Sequence, residues 1–130
     1  MVHEFPVRVY YEDTDLAGIV YYANYLKFIE RARSTLVREA GIDQGDLKEA
    51  AGLVFAVRHV DATYLRPAKL DDALTIATKL QQLSGAKLQF EQDVLRGDEL
   101  LFSSKITVIC MNAAGRVVRL PAEIRAKLAI

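Results

Sequence analysis

The segment Tyr10–Arg33, with the sequence YYEDTDLAGIVYYANYLKFIERAR, is the most informative part of this 130-residue chain. It runs from the end of a predicted strand, through an acidic turn with one glycine, into the strongest helical pattern of the chain. The start of a helix carries unpaired backbone N–H groups and about half a positive charge. Asp13 and Asp15 lie just before that positive end. The segment therefore contains both a predicted strand-to-helix boundary and a candidate catalytic site.

The helical pattern extends from about Ala23 to Ala40 and predicts the one long helix of the chain, roughly 27 Å in length. Asn24 is a predicted N-cap and Gly41 a predicted stop. Upstream, Phe5–Glu12 has the composition of a strand. One broad face of the helix is apolar; it consists of Tyr25, Phe28, Ile29, Ala32, Leu36 and Ala40.

Downstream of a short helix at Asp43–Ala51, which we expect Gly45 to interrupt, the chain is predicted to form strands. Leu53–Leu65 is apolar on both alternating faces, which predicts a strand buried on both, either in the centre of the sheet or at a subunit interface. A short terminal helix is expected at Pro121–Leu128. The other predicted strands are Asp72–Leu83, Lys87–Arg96, Leu100–Met111 and a short one at Arg116–Leu120.

This order, one strand, one long helix and then successive strands joined by short turns, predicts an α+β fold. A sheet with one apolar face needs a cover, and the long helix is the available one. We therefore expect a curved antiparallel sheet wrapped around one long central helix, in a single domain over residues 1–130.

Composition narrows the function classes. The chain has 17 basic and 17 acidic side chains, and this balance argues against nucleic acid as a bulk electrostatic partner. No segment has the length and apolarity of a membrane span or a signal peptide, so the expected location is the cytoplasm. Cys110, the single cysteine, is expected to be a buried apolar residue. With two distant histidines, the sequence shows no metal-ligand spacing, and no cofactor is predicted.

Asp13 and Asp15 allow two interpretations. Aspartate is common in turns and helix caps, which would make both residues structural. Alternatively, one carboxylate faces an electrophilic carbonyl at the helix start, where N–H groups stabilise the oxyanion, and either attacks it or activates water. Because the two acids are two residues apart in a turn and point different ways, at most one is expected in the site.

The aromatic and histidine residues also have two interpretations each. Tyr21, Tyr22 and Tyr25 are either core aromatics or groups that hydrogen-bond a substrate and line an apolar acyl pocket. His3 is expected to be solvated or disordered, and His59 is more typical of a sheet histidine than of a catalytic one. No nucleophile elbow, phosphate loop or dinucleotide fingerprint is present.

Two segments resemble one known family. Tyr11–Tyr25, followed by Glu30-Arg31-Ala32-Arg33, is similar to the signature of the 4-hydroxybenzoyl-CoA thioesterase group of hotdog-fold enzymes, particularly the branch associated with the bacterial Tol-Pal system. A second match lies at Tyr64–Ile76, YLRPAKLDDALTI. The resemblance implies the hotdog fold and hydrolysis of an acyl-CoA thioester.

The resemblance also implies roles for individual residues. The family's catalytic aspartate falls on Asp15, its oxyanion donors are backbone N–H groups near Tyr22, and Gly18 allows the backbone to approach. Coenzyme A lies along a subunit interface in this family. By position, its phosphates would meet the Ser84–Lys87 turn, with Arg66 and Lys69 as further candidates; within the turn we single out Ser84, Gly85 and Lys87. Hotdog enzymes are usually homodimers or dimers of dimers, that is, tetramers.

Tyr22 separates the chain from part of this family. Much of the Tol-Pal branch has a histidine at this position, whereas the hydroxybenzoyl branch has tyrosine and works with the aspartate alone. Two other functions remain as alternatives: a hotdog module that binds acyl-CoA or acyl carrier protein without hydrolysis, and a hydratase or dehydratase. The latter would need an Asp–His pair, and His59 lies outside the matched motif.

Overall fold

The computed structural model describes residues 1–129, which form five strands and three α-helices. In chain order the elements are β1 (His3–Arg8), a 3₁₀ turn (Tyr11–Asp13), α1 (Asn24–Glu39), α2 (Gln44–Ala51), β2 (Val54–Tyr64), β3 (Ala73–Ser84), β4 (Lys87–Arg96), β5 (Glu99–Met111) and α3 (Ala122–Leu128). No helix within residues 1–129 is long and apolar enough to cross a membrane.

The strands form one antiparallel sheet in the order β1-β3-β4-β5-β2. Consecutive strands β3, β4 and β5 are joined by tight turns, as the glycines at 85 and 97 predict, and both glycines have positive φ. The N-terminal β1 is added beside β3 and the strand that follows α2 is added beside β5. Segments from before and after α1 therefore form the two outer strands.

Helix α1 covers one face of this sheet with its apolar side. Phe28, Ile29 and Ala32 are at most 1% exposed because the helical period places them on the same face. The α+β hotdog arrangement expected from the sequence is thus confirmed, and the bounds of α1 agree with the predicted ones to within a residue. The helix packs with buried sheet residues that include Leu74, Ile76, Phe90, Val94, Phe102 and Ile106.

Of the two positions predicted for the strand with two apolar faces, the central one is wrong and the interface one is untested. Strand β2 pairs with β5 alone and lies at the edge of the sheet formed by residues 1–129. Val57 and Val60 on this strand are 49% and 41% exposed. A long edge strand with exposed apolar side chains invites pairing with another strand, so the interface alternative stays a prediction.

Several local predictions need correction. The sequence predicts a first strand that runs to Glu12, but β1 ends at Arg8 and Tyr11–Asp13 forms a 3₁₀ turn. Gly45 does not interrupt α2, because it lies in the first turn, where Asp43 caps the helix by accepting from Asp46 N–H at 3.0 Å. The short strand expected at Arg116–Leu120 is reduced to one isolated bridge between Met111 and Val117.

One polar side chain lies in the core where the alternation of β4 would place an apolar one. Gln92 is fully buried beneath α1, and its amide donates to Ile29 O and Thr78 Oγ1, both at 2.9 Å. Its oxygen accepts from Arg33 Nη1 at 2.9 Å. These bonds satisfy the amide and fix the position of α1 over the sheet.

The loop between β2 and β3 is held by charged groups. Arg96 Nη1 lies 2.7 Å from Asp72 Oδ2, and Arg96 Nη2 lies 2.8 Å from Glu99 Oε1. The same Asp72 oxygen accepts from Lys69 N–H at 2.8 Å. Burial raises the pKa of Asp72, but the Lys69 N–H and the Arg96 guanidinium together outweigh it and hold that pKa below its ordinary value.

The Asp72→Asn substitution should lower the free energy of unfolding by about 1–2 kcal/mol at neutral pH, because it weakens a charge-assisted hydrogen bond. The folded-state pKa of Asp72 lies below its ordinary value of 3.8. The stabilisation by the carboxylate is therefore fully present above that value and is lost as the pH falls through the folded pKa. Urea unfolding of both proteins from about pH 7 down to about pH 2.5 should show the difference shrinking toward the acid end.

Asp98→Asn provides the control, because Asp98 is exposed in the β4–β5 turn and forms no ion pair within residues 1–129. It should change the free energy of unfolding by less than about 0.5 kcal/mol. A difference between wild type and Asp72→Asn that stays constant with pH would contradict the role given to the carboxylate.

Candidate active site

Asp13 is a structural residue of the turn before α1. It is 6% exposed, and both carboxylate oxygens are used: Oδ2 accepts from Tyr10 N–H and Oδ1 from Asn24 Nδ2, each at 2.9 Å. Asn24 therefore donates its side chain to Asp13 and is not the predicted N-cap. The cap position is Ala23, which has no side chain able to accept a hydrogen bond.

Asp15 differs from Asp13 in its surroundings. It is partly exposed, and one oxygen, Oδ1, accepts from Ala17 N–H at 2.9 Å. Its backbone closes a small hairpin through Asp15 N–H to Ile19 O and Gly18 N–H to Asp15 O. Within residues 1–129 the other oxygen, Oδ2, accepts no hydrogen bond. This carboxylate is oriented by one bond and keeps one oxygen available.

Gly18 is required by the turn geometry. Its φ is +80°, a conformation that L-residues rarely adopt. A Cβ added at this position would meet no atom within 4 Å. The space beside the Asp15 hairpin is thus open, and the backbone conformation is what calls for glycine.

The start of α1 offers free backbone donors. Tyr21 N–H donates to Asp13 O at 2.9 Å and Asn24 N–H donates to Tyr21 O at 2.8 Å. Between them, the N–H groups of Tyr22 and Ala23 have no acceptor within residues 1–129. Two adjacent N–H groups at the positive end of a helix can bind an anion or an oxyanion.

The three tyrosines of this segment have different environments. Tyr25 is 3% exposed and stacks on Phe102 with ring centroids 5.1 Å apart, so it is a core aromatic. Tyr21 and Tyr22 are 46% and 63% exposed, and their rings lie 5.0 Å apart at the surface. The core interpretation holds for Tyr25, whereas Tyr21 and Tyr22 are available to a ligand.

The second family-like segment lies directly against the first. Val20 N–H donates to Ala68 O at 2.9 Å, and Ala68 N–H donates to Tyr25 Oη at 3.0 Å. Tyr64 Oη donates to the Tyr22 carbonyl at 2.9 Å. Burial raises the pKa of both Tyr25 and Tyr64, so both hydroxyls stay protonated at neutral pH.

The predicted coenzyme A contacts divide into two groups. Arg66 lies two residues beyond Tyr64, at the same end of the sheet as Asp15, with its guanidinium 3.5 Å from Glu99. Ser84, Gly85 and Lys87 lie at the opposite end of β3, about 30–35 Å along the strand. One chain therefore does not bring this turn to Asp15, and Gly85 O is already used by Leu120 N–H and Arg125 Nη2.

Neither histidine joins the site formed by the described chain. His3 was expected to be solvated or disordered, but it lies in β1 with Nε2 2.9 Å from Glu39 Oε1. His59 is exposed in the middle of β2, and no histidine hydrogen-bonds Asp15 within residues 1–129. An Asp–His pair for dehydration is not assembled in that part of the chain.

The role of the Tyr64 hydroxyl does not follow from the sequence, although Tyr64 lies in the second family-like segment. The hydrogen bond joins residues 42 positions apart, which no local pattern reveals. One signal in the sequence could have indicated this contact. The two family-like segments lie in one small domain, and such segments are expected to contact each other.

The chain is similar to known proteins over nearly its whole length. The family model of the thioesterase-like superfamily matches residues 9–128. The acyl-CoA thioesterase YbgC of Haemophilus influenzae is 41% identical over 123 residues, which cover 94% of this chain and 90% of that protein.

Solved structures of thioesterases have the same fold as this chain. A probable thioesterase from Bartonella henselae is 40% identical with a TM-score of 0.87, covering 93% of this chain and all of that one. A 1,4-dihydroxy-2-naphthoyl-CoA thioesterase from Synechocystis, at 18% identity and a TM-score of 0.90, covers 98% of this chain and 96% of that chain and shares the fold. Together with the sequence matches, these comparisons show that the chain belongs to the thioesterase-like superfamily of hotdog proteins.

Proposed function

We propose that this protein hydrolyses an acyl-CoA thioester to a free carboxylic acid and coenzyme A, with Asp15 as nucleophile or general base. The observation that carries the proposal is the pairing of two features: the available Oδ2 of Asp15 and the unpaired N–H groups of Tyr22 and Ala23 at the start of α1. The 41% identical relative from Haemophilus influenzae is itself named an acyl-CoA thioesterase.

In this mechanism the thioester carbonyl oxygen binds the N–H groups of Tyr22 and Ala23. Asp15 either attacks the carbonyl carbon or removes a proton from a water that does so. Negative charge then develops on the oxygen that the two N–H groups and the helix start stabilise. Collapse of the tetrahedral species breaks the C–S bond, and the coenzyme A thiolate leaves and takes up a proton. If Asp15 attacks directly, water afterwards hydrolyses the resulting anhydride.

Exposed apolar side chains on the two segments that form the proposed site suit an acyl group. Leu16 is fully exposed at the tip of the Asp15 hairpin, and Tyr22 is 63% exposed at the start of α1. Leu65, next to Tyr64, is 50% exposed. Side chains of this kind at a helix start bind an apolar or aromatic group while the backbone donors bind its carbonyl.

We place the coenzyme A phosphates first against Arg66 and Lys69, which lie at the same end of the sheet as Asp15. Lys69 pairs with Ile19 in an isolated antiparallel bridge, so its backbone is held next to the Asp15 hairpin. Ser84, Gly85 and Lys87 would reach a coenzyme A only from a second copy of the chain, because they lie at the far end of β3.

Asp15→Asn should reduce thiol release from a panel of acyl-CoA substrates by at least about 10²-fold, because the amide is neither a base nor a nucleophile at neutral pH. The panel should include short, long and aromatic acyl groups. Glu12→Gln is the matched control: Glu12 is exposed in the same turn, and its side chain forms no hydrogen bond within residues 1–129.

Two outcomes would contradict the assignment. Full activity of Asp15→Asn would exclude Asp15 as the reacting group. Absence of coenzyme A release by wild type over the whole panel would favour the alternative, a hotdog module that binds acyl-CoA or acyl carrier protein without hydrolysis.

Asp13 should behave differently from Asp15. Asp13→Ala should lower the free energy of unfolding by about 1–3 kcal/mol, because it leaves the Tyr10 N–H and the Asn24 amide without their buried acceptor. Chemical denaturation measures this loss, and Glu12→Ala should stay within about 0.5 kcal/mol of wild type. A fully stable Asp13→Ala protein would show that the carboxylate is not the structural link described above.

We further propose that the protein is a homo-oligomer, a dimer or a dimer of dimers, assembled along β2. The free edge of β2 carries exposed Val57 and Val60, and Tyr64 and Leu65 continue the apolar surface at its end. Antiparallel pairing with β2 of a second copy would satisfy the open backbone groups and cover these side chains.

Val60→Lys should convert the oligomer to a 14.5 kDa monomer in light scattering coupled to size exclusion, because pairing would bury the new charge. Val117→Lys is the control. Val117 is similarly exposed, at 50%, and it pairs with Met111 of β5 and not with β2. A monomeric wild type, or an oligomer that Val60→Lys leaves intact, would exclude this interface.

A further inference from the structure

We infer that Tyr64 is a positioning residue of the proposed thioesterase site: its hydroxyl holds the peptide between Tyr22 and Ala23 so that the Ala23 N–H points at the oxyanion. The inference rests on the proposed function, because it concerns the same helix start. The inference is supported by an observation that the proposed function does not use, the 2.9 Å hydrogen bond from Tyr64 Oη to Tyr22 O.

The geometry of the peptide bond connects the two groups. A trans peptide is planar, so its C=O and N–H point in opposite directions. All peptide bonds among residues 1–129 are trans. A donor that fixes the Tyr22 carbonyl on one side therefore fixes the Ala23 N–H on the other. The same bond polarises the peptide and makes that N–H a stronger donor.

The backbone bonds of the helix start, from Asn24 N–H to Tyr21 O and from Leu26 N–H to Ala23 O, do not engage the peptide between Tyr22 and Ala23 itself. It precedes the first residue of α1, and the N-cap Ala23 makes no side-chain capping bond. The N–H groups of Tyr22 and Ala23 have no acceptor within residues 1–129. In the described chain, the Tyr64 hydroxyl is the one side-chain partner of the Tyr22 backbone.

Three aromatic rings contact the Tyr64 ring, which is 46% exposed. Its ring meets Tyr22, Tyr25 and Phe102 edge-on, with centroid distances of 6.2, 5.5 and 5.1 Å. These partners come from the helix start, from α1 and from β5. Such edge-to-face contacts favour one ring orientation. Burial raises the pKa of Tyr64, so its hydroxyl remains a donor over the neutral pH range.

The test is Tyr64→Phe, which keeps the ring and removes the hydroxyl. A misplaced catalytic donor can cost up to about 10²-fold in rate, so kcat should fall by about 10- to 100-fold while KM changes little. Tyr11→Phe is the matched control, because Tyr11 is 83% exposed and its hydroxyl forms no hydrogen bond within residues 1–129. It should retain wild-type kcat.

A second measurement separates positioning from a structural role. The infrared C=O band of a ¹³C-labelled acyl-CoA, bound to Asp15→Asn, should lie at lower frequency than in solution, because the backbone donors polarise the carbonyl. Adding Tyr64→Phe should move the band back toward its solution value. Loss of a merely structural contact would lower the melting temperature and leave the band in place.

The outcomes distinguish this inference from the function on which it rests. If wild type hydrolyses acyl-CoA while Tyr64→Phe keeps full kcat or an unshifted band, the positioning role is wrong and the function stands. If Asp15→Asn stays active, the residue assignment of Asp15 fails, while the kinetics of Tyr64→Phe still decide the role of Tyr64. If wild type hydrolyses no acyl-CoA, both proposals are overturned.

Discussion

The junction at Ala68 is the contact on which the candidate site depends. Ala68 is fully buried, its carbonyl accepts from Val20 N–H, and its N–H donates to Tyr25 Oη. These two bonds attach the loop after β2 to the segment that leads into α1. The loop is braced in turn by Asp72 and Arg96. A buried backbone group that lost its partner would lower the free energy of unfolding by about 1–3 kcal/mol. The hydrogen bonds that hold the Asp15 hairpin and the helix start are therefore costly to break.

The start of α1 has no conventional cap, and this fits the proposed oxyanion site. Ser, Thr, Asp or Asn at the N-cap commonly stabilises a helix by about 1 kcal/mol through a bond to the first free N–H groups. Here the cap is Ala23, and Asn24 and Asp13 bond to each other instead. The stability of α1 comes from Phe28, Ile29 and Ala32 in the core. A helix so anchored can leave its first N–H groups open to a ligand, which is the property an oxyanion site requires.

Local patterns were sufficient for some elements and not for others. The bounds of α1 and β4 followed from periodicity and from the glycines that end them. The edge position of β2 did not follow, because strand order depends on where β1 and β2 are added to the β3-β4-β5 meander. The buried position of Gln92 was not predicted. Alternation along a strand indicates which face a residue occupies, but it does not reveal the distant hydrogen-bond partners of Gln92, which are Ile29 O, Thr78 and Arg33. In the site, the motif singled out Asp15, whereas the structural role of Asp13 became firm only when both of its oxygens were seen to be occupied.

The position of Tyr64 links the site to the open edge of the sheet. Tyr64 is the last residue of β2, the strand that pairs on one side only within the described chain. Pairing of β2 with a second copy would restrict the twist of that strand and thereby the direction of the Tyr64 hydroxyl. The hydroxyl holds the Tyr22 carbonyl, and the planar peptide transmits its orientation to the Ala23 N–H. If β2 pairs with a second copy as proposed, assembly would act on the proposed oxyanion donors through one side chain, Tyr64.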